Sequence, residues 1–463
     1  MHAPERRPFL HGAGRGVGAA AFARLLAEES GASVVRRGAG RAKRVIWLTM
    51  AGGPSQLELL DPKPDLARMH GTPMPASLVQ GRQLAQLQGK PLRCLGPQFG
   101  FRRYGKSGIE LGELIPRIGS VVDDLCVVRS MTTDAINHDP AHMFMNTGSQ
   151  IAGRPSMGAW VAYGLGYAAK ELPGFVVLVS TGKGRSPQPI SQRQWSAGML
   201  PGRHQGVQLR GQGDPVHYLS SPPGVDRGAQ GEDIDTIRAL DRRRDRWVDD
   251  PELATRIAQY ELAFRMQSSV PQLMDISDEK GSALEAYGCT PGDGSFASNC
   301  LLARRLAERG VPFIQLYHRD WDHHSQLREE LPTRAREVDR ACAALIRDLQ
   351  ARGMFDDTLV VWTGEFGRTP MSQSDKGTVG RDHHNLAMSM WLAGAGVRGG
   401  MVHGATDDLG YAAVRDVCTV HDLHATMLHV LGLEPERLSV RSQGLDVRLI
   451  GVEPAKVLTA LLR

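Results

Sequence analysis

A chain of 463 residues with 41% hydrophobic and 23% charged residues carries enough apolar material for a substantial core, and it is neither disordered nor fibrous. Its formal charge of +5 is spread over 55 basic and 50 acidic residues without a concentrated basic stripe, which argues against a nucleic-acid partner, and no uncharged apolar run reaches membrane-spanning length. Six cysteines (Cys94, Cys126, Cys289, Cys300, Cys342 and Cys418) form no Cys-x-x-Cys pair in a chain too long to need a disulfide framework. Cys126 and Cys342 lie in apolar runs that predict core positions.

At the amino terminus Arg6 and Arg7 are followed by Phe9, Leu10 and a Gly- and Ala-rich stretch over 12–27. This pattern predicts a leader over 1–40 of the twin-arginine export type, which would put the protein in the periplasm or outside the cell. Arg15 and Arg24 interrupt the stretch, so the competing reading is an amphipathic, partly disordered segment that stays attached in the cytoplasm. Gly12, Gly14, Gly16 and Gly18 follow no strand and therefore make no dinucleotide loop.

One domain is predicted over 41–463. Short β-branched apolar runs recur at Val45–Met50, Leu125–Val128, Phe175–Val179, Phe313–Leu316 and Thr358–Trp362, with another apolar run at Leu386–Leu392. Runs apolar on both faces suit central strands of a mostly parallel sheet covered by helices. Helical periodicity falls between them at Glu252–Met266, Ala297–Arg309, Arg334–Arg352 and His421–Leu431. Strands alternating with helices predict a doubly wound α/β architecture whose site lies beyond the carboxyl ends of the strands. The segment 181–235, rich in Gly, Pro, Gln and Arg, reads as a loop-rich insertion beside that site.

Polar residues collect at those strand ends. After Phe313–Leu316 come Asp320, Asp322, His323 and His324; after Thr358–Trp362 comes Glu365 between Gly364 and Gly367, with Arg368 beyond. Arg381, Asp382, His383 and His384 precede the run at Leu386–Leu392. Two Asp-His clusters at separate strand ends are what a site assembled from distant segments looks like, and nitrogen with oxygen donors suits zinc, carboxylates alone the harder ions. Upstream stand Asn137, His138, Asp139 and His142; four residues apart, the two histidines would share one helix face, while Asp139 and Pro140 would cap and start the helix. Ser55, behind Gly52, Gly53 and Pro54 and near Glu58 and Asp61, is either a nucleophile or ligand, or a local cap.

The ordered set from the Gly52–Ser55 turn and Asp61–Pro64 through Asn137–His142, Trp321–His324, Gly364–Pro370, Gly380–His384 and Trp391–Val397 closely resembles the signatures of DUF1501 proteins, from about Arg41 to the end. That family commonly carries a twin-arginine leader and looks distantly related to the alkaline phosphatase and sulfatase superfamily, whose members hydrolyse phosphate or sulfate esters with divalent metals. The resemblance thus implies an alkaline-phosphatase-like α/β fold with helices on both faces of the sheet. It also implies that Asp322, His324 and His383 correspond to superfamily metal ligands, with Asp61 or Ser55 near the position of its first Asp. Lined up on Thr147 and Gly148, His138 stands where a sulfatase has its Cys nucleophile and His142 where it has Arg, so no formylglycine can form there. Glu365 and Phe366 stand where an Asp-His metal pair is usual.

The expectation is a hydrolase of small-molecule or glycan sulfate or phosphate esters dependent on a divalent metal (Zn, Ca, Mg or Mn). Asp322, His324, Glu365, Asp382 and His383 would form its metal shell, His138, Arg368 and Arg381 its catalytic groups, and Ser55, Asn137 and His142 its substrate contacts. The alternative is an exported binding protein for sulfated or anionic glycans with a hydrolase-like cleft and no turnover.

Overall fold

The computed structural model describes residues 32–33, 40–166, 171–180, 188–212, 215, 227–244, 251–373, 378–452 and 454–463. The leader, apart from Ala32–Ser33, lies outside the described residues, as do 181–187, 213–214 and 216–226 of the insertion. No described helix is long and apolar enough to cross a membrane.

Ten strands position the site: β1 (Arg44–Met50), β2 (Leu125–Met131), β3 (Phe175–Ser180), β4 (Val207–Leu209), β5 (Phe313–His318), β6 (Thr358–Thr363), β7 (Gly367–Ser372), β8 (Arg381–His384), β9 (Met388–Ala393) and β10 (Met401–His403), with the helices α1 (His138–Thr147), α2 (Met157–Leu165), α3 (Phe296–Glu308) and α4 (Leu327–Ala351) between them. Eight of them form the central sheet in the order β10-β2-β9-β6-β1-β5-β3-β4. β1 sits between β6 and β5, parallel to both, and β5, β3 and β4 continue in parallel. β9 alone runs antiparallel to its neighbours β2 and β6. β7 and β8 make a separate antiparallel hairpin with Arg368 opposite His383.

All five expected strands are present, and their double-sided apolarity has the expected cause. Side chains alternate between faces along a strand. Ile46, Leu48, Ile314, Leu316 and Val360 pack into one core with Leu301 and Leu306 of the helix α3 (Phe296–Glu308) and Leu331, Leu345 and Ile346 of α4 (Leu327–Ala351). Val45, Trp47, Val177, Phe313 and Val361 pack into a second core, against Trp160 of the helix Met157–Leu165 and Met427 and Leu428 of the helix Val420–Val430. With Trp47 and Phe313 fully buried, each such side chain contributes roughly 1.5–3 kcal/mol, which fixes the register at the sheet centre. The result is an α/β fold with helices on both faces.

Several elements differ in extent from expectation, among them the helix expected over Glu252–Met266, which spans Pro251–Met274. α4 begins seven residues ahead of Arg334, because buried Leu327 and Leu331 extend its apolar stripe past Pro332. The insertion is not wholly loop: β4 closes one edge of the central sheet by pairing with β3, and the helix Arg227–Arg244 begins inside its boundary.

Candidate metal-binding site

Three adjacent central strands, β6, β1 and β5, deliver Glu365, Gly52 and Asp322 to the same edge of the sheet. Gly52 has φ +123°, and a Cβ there would stand 2.6 Å from the Asp322 amide nitrogen, so only glycine lets the two loops close. The Gly52 amide donates to both Glu365 oxygens, at 2.9 and 3.1 Å. Gly367 serves in another way: its φ is not left-handed, but a Cβ would meet the Ala387 carbonyl at 2.0 Å. The turn at Glu365 thus depends on close backbone packing rather than on a special dihedral.

After β2 comes a helix over His138–Thr147 with Asn137 at the N-cap position, its side chain making no capping hydrogen bond; Asp139 lies in the first turn rather than at the cap. The four-residue spacing places both histidines on Glu365: His138 Nδ1 at 2.6 Å from Oε1 and His142 Nε2 at 3.5 Å. The other imidazole nitrogen of His138 faces Asp322 Oδ2 at 3.1 Å. Asp322 Oδ1 is approached by His324 Nε2 at 2.9 Å, His383 Nε2 at 3.3 Å and Arg368 Nη2 at 2.5 Å. Donor atoms of His138, Asp322, His324 and His383 all lie within 4.8 Å of one another, as do those of His138, His142 and Glu365.

The hydrogen-bond partners assign the tautomers. His383 Nδ1 lies 2.9 Å from the Ile136 carbonyl, His324 Nδ1 bonds the Gln373 side-chain oxygen, and His138 Nδ1 meets the Glu365 carboxylate. Each partner accepts only, so each Nδ1 carries the proton and each Nε2 turns toward the same carboxylate. Burial, with Arg368 and two imidazoles nearby, holds His383 down at about 4 despite its bond to Asp322, so it is neutral at pH 7. A neutral imidazole lone pair pointed at a carboxylate oxygen is repulsive unless a cation lies between them. Three imidazole nitrogens and one carboxylate are a zinc-type donor set, and the acceptors on Nδ1 are the outer partners such ligands use. The residues present fit a divalent cation.

Without one, His138 takes the proton. Burial alone would lower it, but hydrogen bonds to Asp322 and Glu365 and both charges outweigh that and raise it to about 9. Asp322, although buried, is held far below the carboxylate range by its three imidazoles and Arg368. Glu365, although fully buried, is drawn down to about 2 by His142 and His138. His142 is buried, pushed down chiefly by desolvation, and neither ring nitrogen has a hydrogen-bond partner among the described residues.

The segment carrying Asp322 and His324 is bracketed by two non-glycine residues in the left-handed region, Asp320 (φ 71°) and Gln326 (φ 54°), each costing on the order of 1 kcal/mol. Arg334 on α4 lies 3.7 Å from Asp320 and 2.7 Å from Glu337, which in turn reaches His318 at the end of β5. The loop is therefore held from beneath by charged groups.

Several sequence-predicted residues stand elsewhere. Arg381 is buried and spends its guanidinium on Glu58 (2.6 Å) and on the carbonyls of Leu95, Gly96 and Thr369. It staples three segments and presents no edge to the cluster. Arg368 touches Asp322, but its remaining bonds go to the carbonyls of Gly52, Gly53 and Arg381, so it holds the ligand rather than a substrate anion. Asp382 accepts from the Gln86 and His383 amides, away from the cluster. Ser55 donates to Glu58, and Asp61 pairs with Lys63 and Thr406; neither joins the imidazoles. Asn137 is exposed at the helix start. Sequence reasoning missed Gln188 in the insertion, whose amide nitrogen lies 3.5 Å from Asp322 Oδ2, and Gln373; neither carries a sequence signal.

The family model described as "Protein of unknown function (DUF1501)" matches residues 42–462. No curated protein matches the chain. Among solved structures it is similar to a protein of the alkaline phosphatase superfamily from Vibrio parahaemolyticus, at 10% identity and TM-score 0.36, covering 90% of this chain and 71% of that one. It is also similar to the phosphonate monoester hydrolase SpPMH from Silicibacter pomeroyi, at 11% identity and TM-score 0.34, covering 75% and 71%. A third is the PsFucS1 sulfatase from Pseudoalteromonas sp., at 12% identity and TM-score 0.33, covering 89% and 70%.

Proposed function

The chain belongs to the DUF1501 family, and from that premise we propose that it is a divalent-metal-dependent hydrolase of phosphate or sulfate esters, exported by its Arg6–Arg7 leader. The observation that carries the reading is the convergence of three Nδ1-protonated imidazoles, with Nε2 facing outward, on the single carboxylate of Asp322. His138, Asp322, His324 and His383 would hold the cation. Glu365, proposed from sequence as a ligand, becomes the group that orients His138 through Nδ1, itself fixed by the Gly52 amide. Bound there, a divalent cation supplies Lewis-acid polarisation of an ester oxygen. Arg368 keeps Asp322 ionised and aligned, and His142 stands buried behind Glu365, 3.5 Å from the same oxygen that meets His138. Gln188 and Gln373 stand beside Asp322 and His324 as neutral amide groups that a substrate would meet.

A second reading, binding of a sulfated or anionic glycan without turnover, is favoured by one observation: Ser55, the hydroxyl that the sequence offers as a nucleophile, is committed to Glu58. Elemental analysis of protein purified without chelator, paired with Asp322→Ala and a screen of phosphate and sulfate esters, separates the two. Near-stoichiometric metal lost in the variant, with hydrolysis lost alongside, is the expected outcome. Metal retained in Asp322→Ala, or none in either protein, removes the metal site from the proposal; tight ligand binding without product supports the second reading. Amino-terminal sequencing of the exported protein checks the leader.

A further inference from the structure

On the flank of the molecule covered by α4, the short helices Gly281–Tyr287 and Pro116–Gly119 and α4 itself enclose a cavity of about 610 Å3. Ala283, Ala286, Ala343 and Ala344 line it, and Arg117, Lys280, Arg340 and Arg347 line it too, all four exposed.

The neighbouring surface shows how this protein ordinarily treats its cations. Arg304 is matched to Glu279 (2.7 Å), Glu308 (2.7 Å) and Asp348 (3.1 Å). Arg305 meets Asp278 and Glu279, and Arg352 meets Glu308 and Asp348. Of the five cations that line the cleft only Arg352 follows this habit. Among the described residues no carboxylate lies within ion-pair distance of Arg117, Lys280, Arg340 or Arg347. Arg340 donates to the carbonyls of Glu285 and Ala286 and Arg347 to the Ser120 hydroxyl, contacts that orient the side chains without neutralising them. The one carboxylate lining the cleft, Asp348, is already shared by Arg304, Arg352 and the Tyr287 hydroxyl. Like charges gathered around one cavity repel, and a bound anion relieves that repulsion.

We propose that this cleft is a second binding site for a sulfated or phosphorylated polysaccharide, engaging the polymer away from the His138–His383 cluster. The small apolar alanines accept the face of a sugar ring while the cations meet its charged substituents. A nucleic-acid strand fits less well, because recognition of exposed bases uses accessible aromatic rings and the cleft's single aromatic, Tyr287, is buried with its hydroxyl on Asp348. The inference rests on the ester-hydrolase reading for its substrate class and extends it: the substrate is polymeric, and a segment remote from the reacting ester is gripped here.

The test uses the full-length protein with its metal as isolated and dextran sulfate as the probe, with neutral dextran and duplex DNA as controls. Lys280→Glu/Arg347→Glu is expected to weaken dextran sulfate binding at least tenfold while metal content and turnover of any small ester are unchanged. Lys280→Gln/Arg347→Gln gives a smaller loss in the same direction and guards against misfolding of the charge-reversed form. Asp322→Ala is expected to bind dextran sulfate as the unaltered protein does, so this result stands or falls even if no ester is ever turned over. Unchanged affinity in both double variants, loss of binding in Asp322→Ala, or tighter binding of DNA than of dextran sulfate each overturns the proposal.

Discussion

The chain contains the triplet Asp-His-His twice, at Asp322–His324 and at Asp382–His384, and the structure uses the two differently. In the first, positions one and three enter the cluster and His323 turns into the interior, where burial drives it down to about 3. In the second, which forms β8, only the middle residue enters; Asp382 goes to Gln86 and His384 to the Tyr411 carbonyl. β8 is extended and sends consecutive side chains to opposite sides, whereas the first triplet lies in a loop whose His323 and His324 amides bond back to the Trp321 and Asp322 carbonyls, so one triplet offers its centre and the other its outer pair. Local backbone conformation, not composition, decides which residues turn to the cluster.

The sharpest way to break the comparison is at its two first positions. Asp322→Ala is expected to lower metal affinity at least about a hundredfold, since it removes the carboxylate all three imidazoles face. Asp382→Asn, at the same place in the other triplet, should leave metal affinity within about twofold. It should still cost roughly 1–2 kcal/mol in denaturant unfolding, from weakened bonds to two backbone amides. Equal loss of metal in both variants would erase the distinction. Glu365→Gln sharpens the account of the outer groups: loss of its charge behind His138 should weaken metal binding about 10- to 100-fold with the ligands themselves intact, read by competitive chelator titration.

His323→Met should leave metal content unchanged and shift stability by less than about 1.5 kcal/mol, because an apolar side chain of similar reach replaces a buried ring. The last prediction concerns a histidine outside the site. His424 is fully buried and pushed down to about 3 by desolvation. A depressed imidazole binds more protons unfolded than folded, so its contribution is present above about pH 6.5 and is lost as pH falls toward 3. His424→Gln should flatten the acid limb of the stability curve by about one proton in that window, as measured by denaturant unfolding at stepped pH.

Much of this fold was legible in the sequence because a doubly covered sheet writes its strands as uninterrupted apolar runs; Val45–Met50, Phe313–Leu316 and Thr358–Trp362 were readable for that reason. That Asp322, His324 and His383 would meet was readable in part from the place of the first two after a strand and of His383 before one, and in part from their resemblance to superfamily metal ligands. The fates of Arg368 and Arg381 were not. An arginine beside a predicted site looks the same in sequence whether it faces substrate or backbone carbonyls, and only the folded loops at Gly53, Leu95 and Gly96 show the latter. The insertion hid its contribution too, since Gln188 reaches Asp322 from a stretch without periodicity.

The two left-handed residues around Asp322 bear on how this protein would respond to redesign. A procedure that chose residues by backbone comfort alone would place glycine at Asp320 and Gln326, relieving on the order of 1 kcal/mol at each. At position 320 it would also delete the carboxylate that Arg334 approaches from α4. A sequence optimised for endurance would then keep every proposed metal donor, lose a tether beneath two of them, and register the change in affinity rather than in melting temperature.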